Sequence, residues 1–223
     1  MKIDILTLFP EMFDGFLNCS IIKRAQDKGL VEINIINFRD YSLDPHHKVD
    51  DTPYGGGSGM VLMVQPIYDA VMSLRHDDSK VILLTPDGIK YSQKEAYNLK
   101  NNKHLIIICG HYEGFDDRIR SIVDLEISIG DYVLTGGELP SMVLTDSIVR
   151  LIDGVIEENS HINDSFNIET NLLDYPTYTK PREFMGMKVP EVLLNGNHKE
   201  IEEYRKNESI KKTRERRSDL LEK

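Results

Sequence analysis

Three segments of the 223-residue chain set glycine beside polar and aromatic side chains at the ends of apolar runs. They are Thr85-Pro86-Asp87-Gly88, Cys109-Gly110-His111-Tyr112-Glu113-Gly114, and Ile129-Gly130-Asp131-Tyr132-Val133-Leu134-Thr135-Gly136-Gly137-Glu138. A residue without Cβ lets backbone N–H and C=O groups approach a ligand closely, and open parallel sheets bind ligands beyond the carboxyl ends of their strands. Any one segment reads equally well as a tight strand-to-helix turn; together they point to one small-molecule site. None carries the lysine or arginine cluster expected for a triphosphate, which favours a neutral or cationic nucleoside-like ligand. No G-x-G-x-x-G turn follows the first strand and no G-x-x-x-x-G-K-[ST] occurs, so a standard dinucleotide fold and a P-loop NTPase are both disfavoured.

Other residue types carry weaker signals. His46-His47 with Asp50-Asp51 has the composition of a metal cluster, but adjacent histidines rarely face one ion, and no metal is assigned. Cys109, inside LIIICG, reads as a small core residue rather than a nucleophile. It and Cys19 are the only cysteines, far apart and without ligand spacing, which fits a reducing cytosol. Gly55 to Gly59 reads either as an RNA or phosphate contact or as a surface loop, and Tyr54 and Tyr178 either as base-stacking or as half-buried packing. On residue type alone, Asp164-Ser165 caps a following turn and Arg150 complements a helix C-terminus. The net charge of −10 argues against a nucleic-acid partner. Yet residues 205–217 hold seven basic side chains (Arg205, Lys206, Lys211, Lys212, Arg214, Arg216, Arg217) against Glu208 and Glu215. That stretch is either a phosphate contact or a solvated helix face.

The elements that must position these residues follow from periodicity. Apolar runs alternate with amphipathic ones: KIDILTL, then a helical stretch near SIIKRAQDKG; VEINIINF; VILLTP, then SQKEAYNLK; LIIICG, then FDDRIRSIV; LEISIG, then LPSMVLTDSIVRLIDG. Strands this apolar predict an α/β fold with a largely parallel sheet and helices on both faces. After Gly154 the chain turns polar (EENSHINDSFN), then proline-punctuated, then helical and charged from about His198. The expected division is an α/β domain over 1–156, a flexible interdomain loop over 157–170 and a small, mainly helical domain over 171–223. MKIDILTLFP lacks the features of a signal peptide and no run approaches the roughly 20 apolar residues of a membrane span, so a cytoplasmic protein without a membrane partner is expected.

GHYEG (110–114), IGDYVLTGGELP (129–140) and DSIVR (146–150) resemble the bacterial tRNA (guanine-N1)-methyltransferase family, the TrmD family of SPOUT methyltransferases. Similar segments follow in the family's order over nearly the whole chain: MKIDILTLFPEMF, PYGGGSGMV (53–61), NDSF (163–166), LLDYPTYTKP (172–181), VPEVLLNGNHKEI (189–201) and the basic tail. The resemblance implies a trefoil knot in the C-terminal half of the α/β domain, which periodicity would not predict because chains are essentially unknotted. It implies a homodimer with active sites shared between subunits. It also implies methyl transfer from S-adenosylmethionine to nitrogen 1 of the guanosine at tRNA position 37, when a guanosine precedes it.

Carried over motif by motif, the resemblance assigns cofactor binding to Pro86, Gly88, Gly110, Tyr112, Glu113, Gly114, Ile129, Gly130, Tyr132, Val133, Leu134, Gly136, Gly137 and Pro140. It assigns Asp164 as the general base, delivered when RNA orders the 157–167 loop, and Arg150 as the cation stabilising charge on the guanine oxygen. Candidate RNA contacts are Asp174, Lys180, His198, Arg205, Lys211, Lys212, Arg214, Arg216 and Arg217. His111 and Lys180 depart from the basic residue and the arginine usual at those positions. A knotted methyltransferase acting on ribosomal RNA or a ribose hydroxyl is the alternative that the cofactor loops would serve equally well; Asp164 and the basic tail favour guanine in tRNA.

Overall fold

The computed structural model describes residues 1–157 and 164–221, which divide into two compact units, Met1–Ile156 and Glu157–Lys223. The first unit runs β1 (Lys2–Thr7), α1 (Asp14–Leu17), α2 (Ser20–Asp27), β2 (Glu32–Asn37), β3 (Asp50–Asp51), β4 (Val61–Leu62), α3 (Val64–Leu74), β5 (Ser79–Lys90), α4 (Gln93–Leu99), β6 (His104–Ile108), β7 (Leu125–Ser128) and α5 (Glu138–Val149). Five strands form one sheet in the order β2-β1-β6-β5-β7, every neighbouring pair parallel. The short β3 and β4 pair separately and antiparallel.

Continuous apolar strands are what a sheet buried on both faces requires. Alternate residues of each strand feed two cores. Ile3, Ile5, Ile82, Leu105 and Ile107 pack with Ile22 and Ala25 of α2, Ala96 and Leu99 of α4, and Leu144 and Ile148 of α5. Leu6, Val81, Leu83, Ile106 and Ile108 pack on the other face with Ile67, Ala70 and Val71 of α3, Phe38 and Ile119. The expected α/β class with a parallel sheet flanked by helices is therefore observed.

Two local expectations need correction. FDDRIRSIV forms only a 3-10 helix, Asp117–Ile122, because Asp116 caps it through Arg118 N–H (3.0 Å) and the chain must reach β7 within a few residues. Thr85 to Gly88 is not a loop beyond a strand end. Strand β5 continues to Lys90, and its register against β7 shifts between Leu84 and Ile89, so the segment is an irregularity within the strand.

The second unit holds a hairpin of β8 (Glu183–Phe184) and β9 (Met187–Lys188) and the 19-residue helix α6 (His198–Arg216). Helix α6 is polar almost all round, so side-chain hydrogen bonds rather than a core tie it to the chain before it. Thr213 Oγ1 accepts Leu173 N–H (2.9 Å), Ser209 donates to Leu173 O (2.5 Å) and Lys212 donates to Asp174 O (2.8 Å). The expectation that the 157–167 loop is ordered only by RNA falls largely on residues 158–163, which lie outside the described residues.

Candidate active site

A cavity of about 440 Å3 opens beside the irregular part of β5 and beyond the carboxyl ends of β6 and β7. Its wall includes Pro86; Gly110, Tyr112, Glu113 and Gly114; and Ile129, Gly130, Tyr132, Val133, Leu134, Gly136, Gly137 and Pro140. Of the residues expected to bind a cofactor, Gly88 alone is missing from the wall. It faces β7 instead: a Cβ there would overlap the backbone of Ile127, so strand packing by itself requires glycine at this position.

Backbone contacts hold the loops together. Gly137 N–H donates to Gly110 O (2.9 Å), and His111 bridges to Gly136. On the other side Glu113 N–H donates to Met60 O (3.0 Å) and Leu62 N–H to Gly114 O (2.9 Å), so the glycine-rich 55–59 segment leads directly into the support of the second loop. Tyr112 sits at φ +58°, a left-handed conformation that a tyrosine adopts only when its surroundings impose it.

The wall is acidic. Asp87, Glu113, Asp116 and Asp117 face it against the single guanidinium of Arg120. Arg120 is itself engaged by Glu126, by Asp87 and by Asp117 (2.8 Å), and these carboxylates raise its pKa further above the ordinary arginine value. Asp116 is held below the usual carboxylate range chiefly by Arg118, 2.6 Å away. Four carboxylates against two guanidiniums, Arg120 and the Arg118 that holds Asp116, leave the wall negative, which suits a cationic ligand and repels phosphate. Asp87 and Glu113 lie in the loops named from the sequence, whereas Asp116, Asp117 and Arg120 fall in FDDRIRSIV, which periodicity placed among the amphipathic runs.

Behind the wall, Glu138 is 1% exposed; its Oε1 accepts the Thr7 hydroxyl (2.6 Å) and its Oε2 lies 2.8 Å from His111 Nε2. Neither Thr7 nor the role of Glu138 was visible in the sequence, since they are 131 positions apart. Cys109 beneath them is fully buried, and burial, with the adjacent Glu138, pushes its thiol pKa up, so it is no nucleophile.

Arg150 closes α5, its N–H bonded to Asp146 O (3.1 Å), half-buried and outside the cavity wall. Asp164 belongs to the second unit, half-buried in a turn whose next residue, Ser165, accepts Asp174 N–H (2.9 Å). Asp174 Oδ1 is buried with no hydrogen-bond partner among the described residues. Lys180, His198, Lys211, Arg214 and Arg216 are exposed, whereas Arg205 stacks on Tyr175 (4.8 Å) and Arg217 pairs with Asp219 (2.7 Å). His46 and His47 are exposed, Asp44 accepts His46 N–H (2.8 Å), and no cluster of metal-ligating side chains exists among the described residues.

The model of the family described as tRNA (Guanine-1)-methyltransferase TrmD matches residues 1–223. This chain belongs to that family. Among its relatives, a tRNA (guanine-N(1)-)-methyltransferase of Dictyoglomus turgidum is 55% identical over 223 residues, covering 100% of this chain and 91% of the relative. Those of Staphylococcus epidermidis and Bacillus cereus are each 56% identical over 225 and 227 residues, covering 100% of this chain and 91% and 92% of theirs. The cavity is thus a pocket in an enzyme of a tRNA methyltransferase family, and none of its described helices is long and apolar enough to cross a membrane.

Proposed function

We propose that this chain transfers the methyl group of S-adenosylmethionine to nitrogen 1 of guanosine 37 in tRNA, when a guanosine precedes it, leaving 1-methylguanosine and S-adenosylhomocysteine. The observation that carries the reading is the convergence of glycine-bearing loops on one acidic cavity within a chain of this family. Its volume lies in the ordinary range for small-molecule sites. Backbone groups at Gly110, Gly136 and Gly137 suit a nucleoside, and the carboxylates suit a sulfonium and an ammonium group. Bound there, S-adenosylmethionine supplies an electrophilic methyl group, and no protein-bound metal is assigned.

The remaining chemistry falls to side chains. Guanine carries a proton on nitrogen 1 that must leave as the methyl arrives, and the Asp164 carboxylate takes it. Negative charge then grows on the 6-oxo oxygen, which the Arg150 guanidinium stabilises. Helix α5 supports a site shared between two copies. Leu139, Val143 and Arg150 fall on one helical face, with Leu139 51% and Val143 46% exposed, beside Val133 at 92%. A face this apolar fits a second copy of the chain, and it carries Arg150 about 18 Å along the helix from Glu138. The second unit, with its basic helix, binds the tRNA. The reading also includes the knotted crossing of the chain at the cavity loops and a cytoplasmic location with the tRNA pool.

The test is transfer of labelled methyl from S-adenosylmethionine to a tRNA transcript with guanosine at positions 36 and 37. Wild type yields 1-methylguanosine, and Asp164→Ala and Arg150→Ala each lose about 100-fold or more in kcat while keeping cofactor affinity. A wild-type chain that binds the cofactor yet labels nothing in that transcript overturns the substrate assignment; variants with full activity overturn the roles.

A further inference from the structure

The buried carboxylate of Glu138 has donors whose directions are fixed. Phe9 N–H, which can only donate, stands 2.9 Å from Thr7 Oγ1. That occupies an acceptor site of the hydroxyl and leaves its proton for Glu138 Oε1, 2.6 Å away. Oε2 lies 2.8 Å from His111 Nε2, and an ionised carboxylate only accepts. The His111 ring therefore carries a proton on Nε2. Little slack exists around the pair: a Cβ on Gly136 would overlap both His111 and Glu138, and the Phe9 ring packs 4.6 Å from the imidazole.

Thr7, His111 and Glu138 come from the end of β1, the loop after β6 and the start of α5. The carboxylate thus ties together the two glycine loops of the cavity wall and anchors them to β1, an interior strand of the sheet. His111 lines the cavity; Glu138 does not.

We infer that Glu138 is a positioning residue for S-adenosylmethionine: it fixes His111 in the Nε2-protonated form and so sets the spacing of the 110–114 and 129–138 loops on which the cofactor rests. The inference rests on the proposed function for the identity of the ligand. Glutamine at position 138 has the same shape but one acceptor and one donor. With Thr7 still donating to its oxygen, its amide N–H2 faces His111 Nε2, which must then accept, and the ring proton moves to Nδ1.

The experiment uses full-length 15N-histidine-labelled protein, with His111→Asn to assign the resonance, and titrations with S-adenosylmethionine and with tRNA. In Glu138→Gln the His111 proton moves from Nε2 to Nδ1 and the cofactor Kd rises about tenfold or more, while the KM for tRNA stays at the wild-type value. A folded Glu138→Gln with unchanged cofactor Kd or unchanged tautomer overturns the inference. If that variant does not fold, Thr7→Ser, which keeps the donor, and Thr7→Val, which lacks it, decide the matter. Serine retains cofactor affinity and valine loses it; equal affinities overturn the inference. Wild type that fails to bind S-adenosylmethionine overturns the proposed function and this inference together, whereas wild-type binding with an indifferent Glu138→Gln sinks this inference alone.

Discussion

At Gly137 a side chain has nowhere to go: a Cβ would stand 2.6 Å from Cys109 Cα and 2.7 Å from Gly110 N. These neighbours are backbone, so the third loop must lift from the second to admit it. Gly137→Ala is expected to cost about 1–3 kcal/mol, a fall of several degrees in Tm, and to weaken S-adenosylmethionine binding about tenfold. Gly15→Ala, inside α1 with nothing within 4 Å of the new Cβ, leaves binding unchanged and raises stability by about 0.5–1 kcal/mol. Calorimetry on the two variants checks this, and equal behaviour would remove Gly137 from the site. The cysteines offer a second test. Cys19 is exposed and Cys109 buried, its thiol pushed up by burial and then by the Glu138 charge. One thiol per chain should therefore react with an aromatic disulfide at pH 8 in the folded protein and two in denaturant. Equal reaction of both in the native state would count against a closed Cys109 environment. The glycine loops were legible in the sequence because glycine announces backbone chemistry directly. The Thr7, His111 and Glu138 cluster was not, because hydrogen bonds between distant positions leave no local pattern.

Among the elements, strand β1 is pinned at its amino end by Asp4, which is fully buried. It accepts bonds from Asn34 of β2 (2.8 Å), His104 of β6 (2.9 Å) and Lys2 (3.0 Å). Burial alone would raise its pKa, but these bonds and the Lys2 charge outweigh it and hold the carboxyl below the ordinary value. The folded state thus binds the proton less readily than the unfolded chain. The Asp4 contribution is complete above the unfolded pKa of roughly 3.9 and is lost as pH falls through the folded value. Asp4→Asn should lower stability at pH 7 by about 1–3 kcal/mol and make the acid limb of the pH–stability curve shallower. Urea melts between pH 7 and pH 3 measure both; parallel curves for wild type and variant would refute it. The strands themselves were legible because a sheet covered on both faces demands continuous apolar runs. What escaped was the irregularity at Thr85 to Gly88, which depends on the register of β5 against β7, and the 3-10 form of Asp117–Ile122, which the Asp116 cap and the short reach to β7 impose on a segment whose periodicity alone reads as a longer helix.

For the molecule as a whole, a net charge of −10 must be reconciled with a polyanionic substrate. Averaging hides the answer, since charge acts on RNA over a screening length of about 10 Å rather than over the whole surface. The acidic cavity repels phosphate and suits a cationic ligand, while α6 carries a cluster of positive charge in a separate unit. The sequence showed the basic cluster but not which members are committed. Arg205 on Tyr175, Lys212 on Asp174 O and Arg217 on Asp219 serve the unit's own structure. Lys211 and Arg214 are exposed and stand one turn apart on α6. If they neutralise tRNA phosphates, Lys211→Ala with Arg214→Ala should reduce the slope of log K against log salt by about 0.7–0.9 for each phosphate no longer neutralised. Cofactor affinity should not change. Lys212→Ala should act differently, lowering the thermal stability of the second unit by loosening the 172–175 segment from the helix. Filter binding of tRNA over a salt series separates the two. A double variant with the wild-type slope would show that α6 meets solvent rather than RNA, and the search for the phosphate-binding residues would move to Lys180, Arg182 and Lys188 around the exposed β8–β9 hairpin.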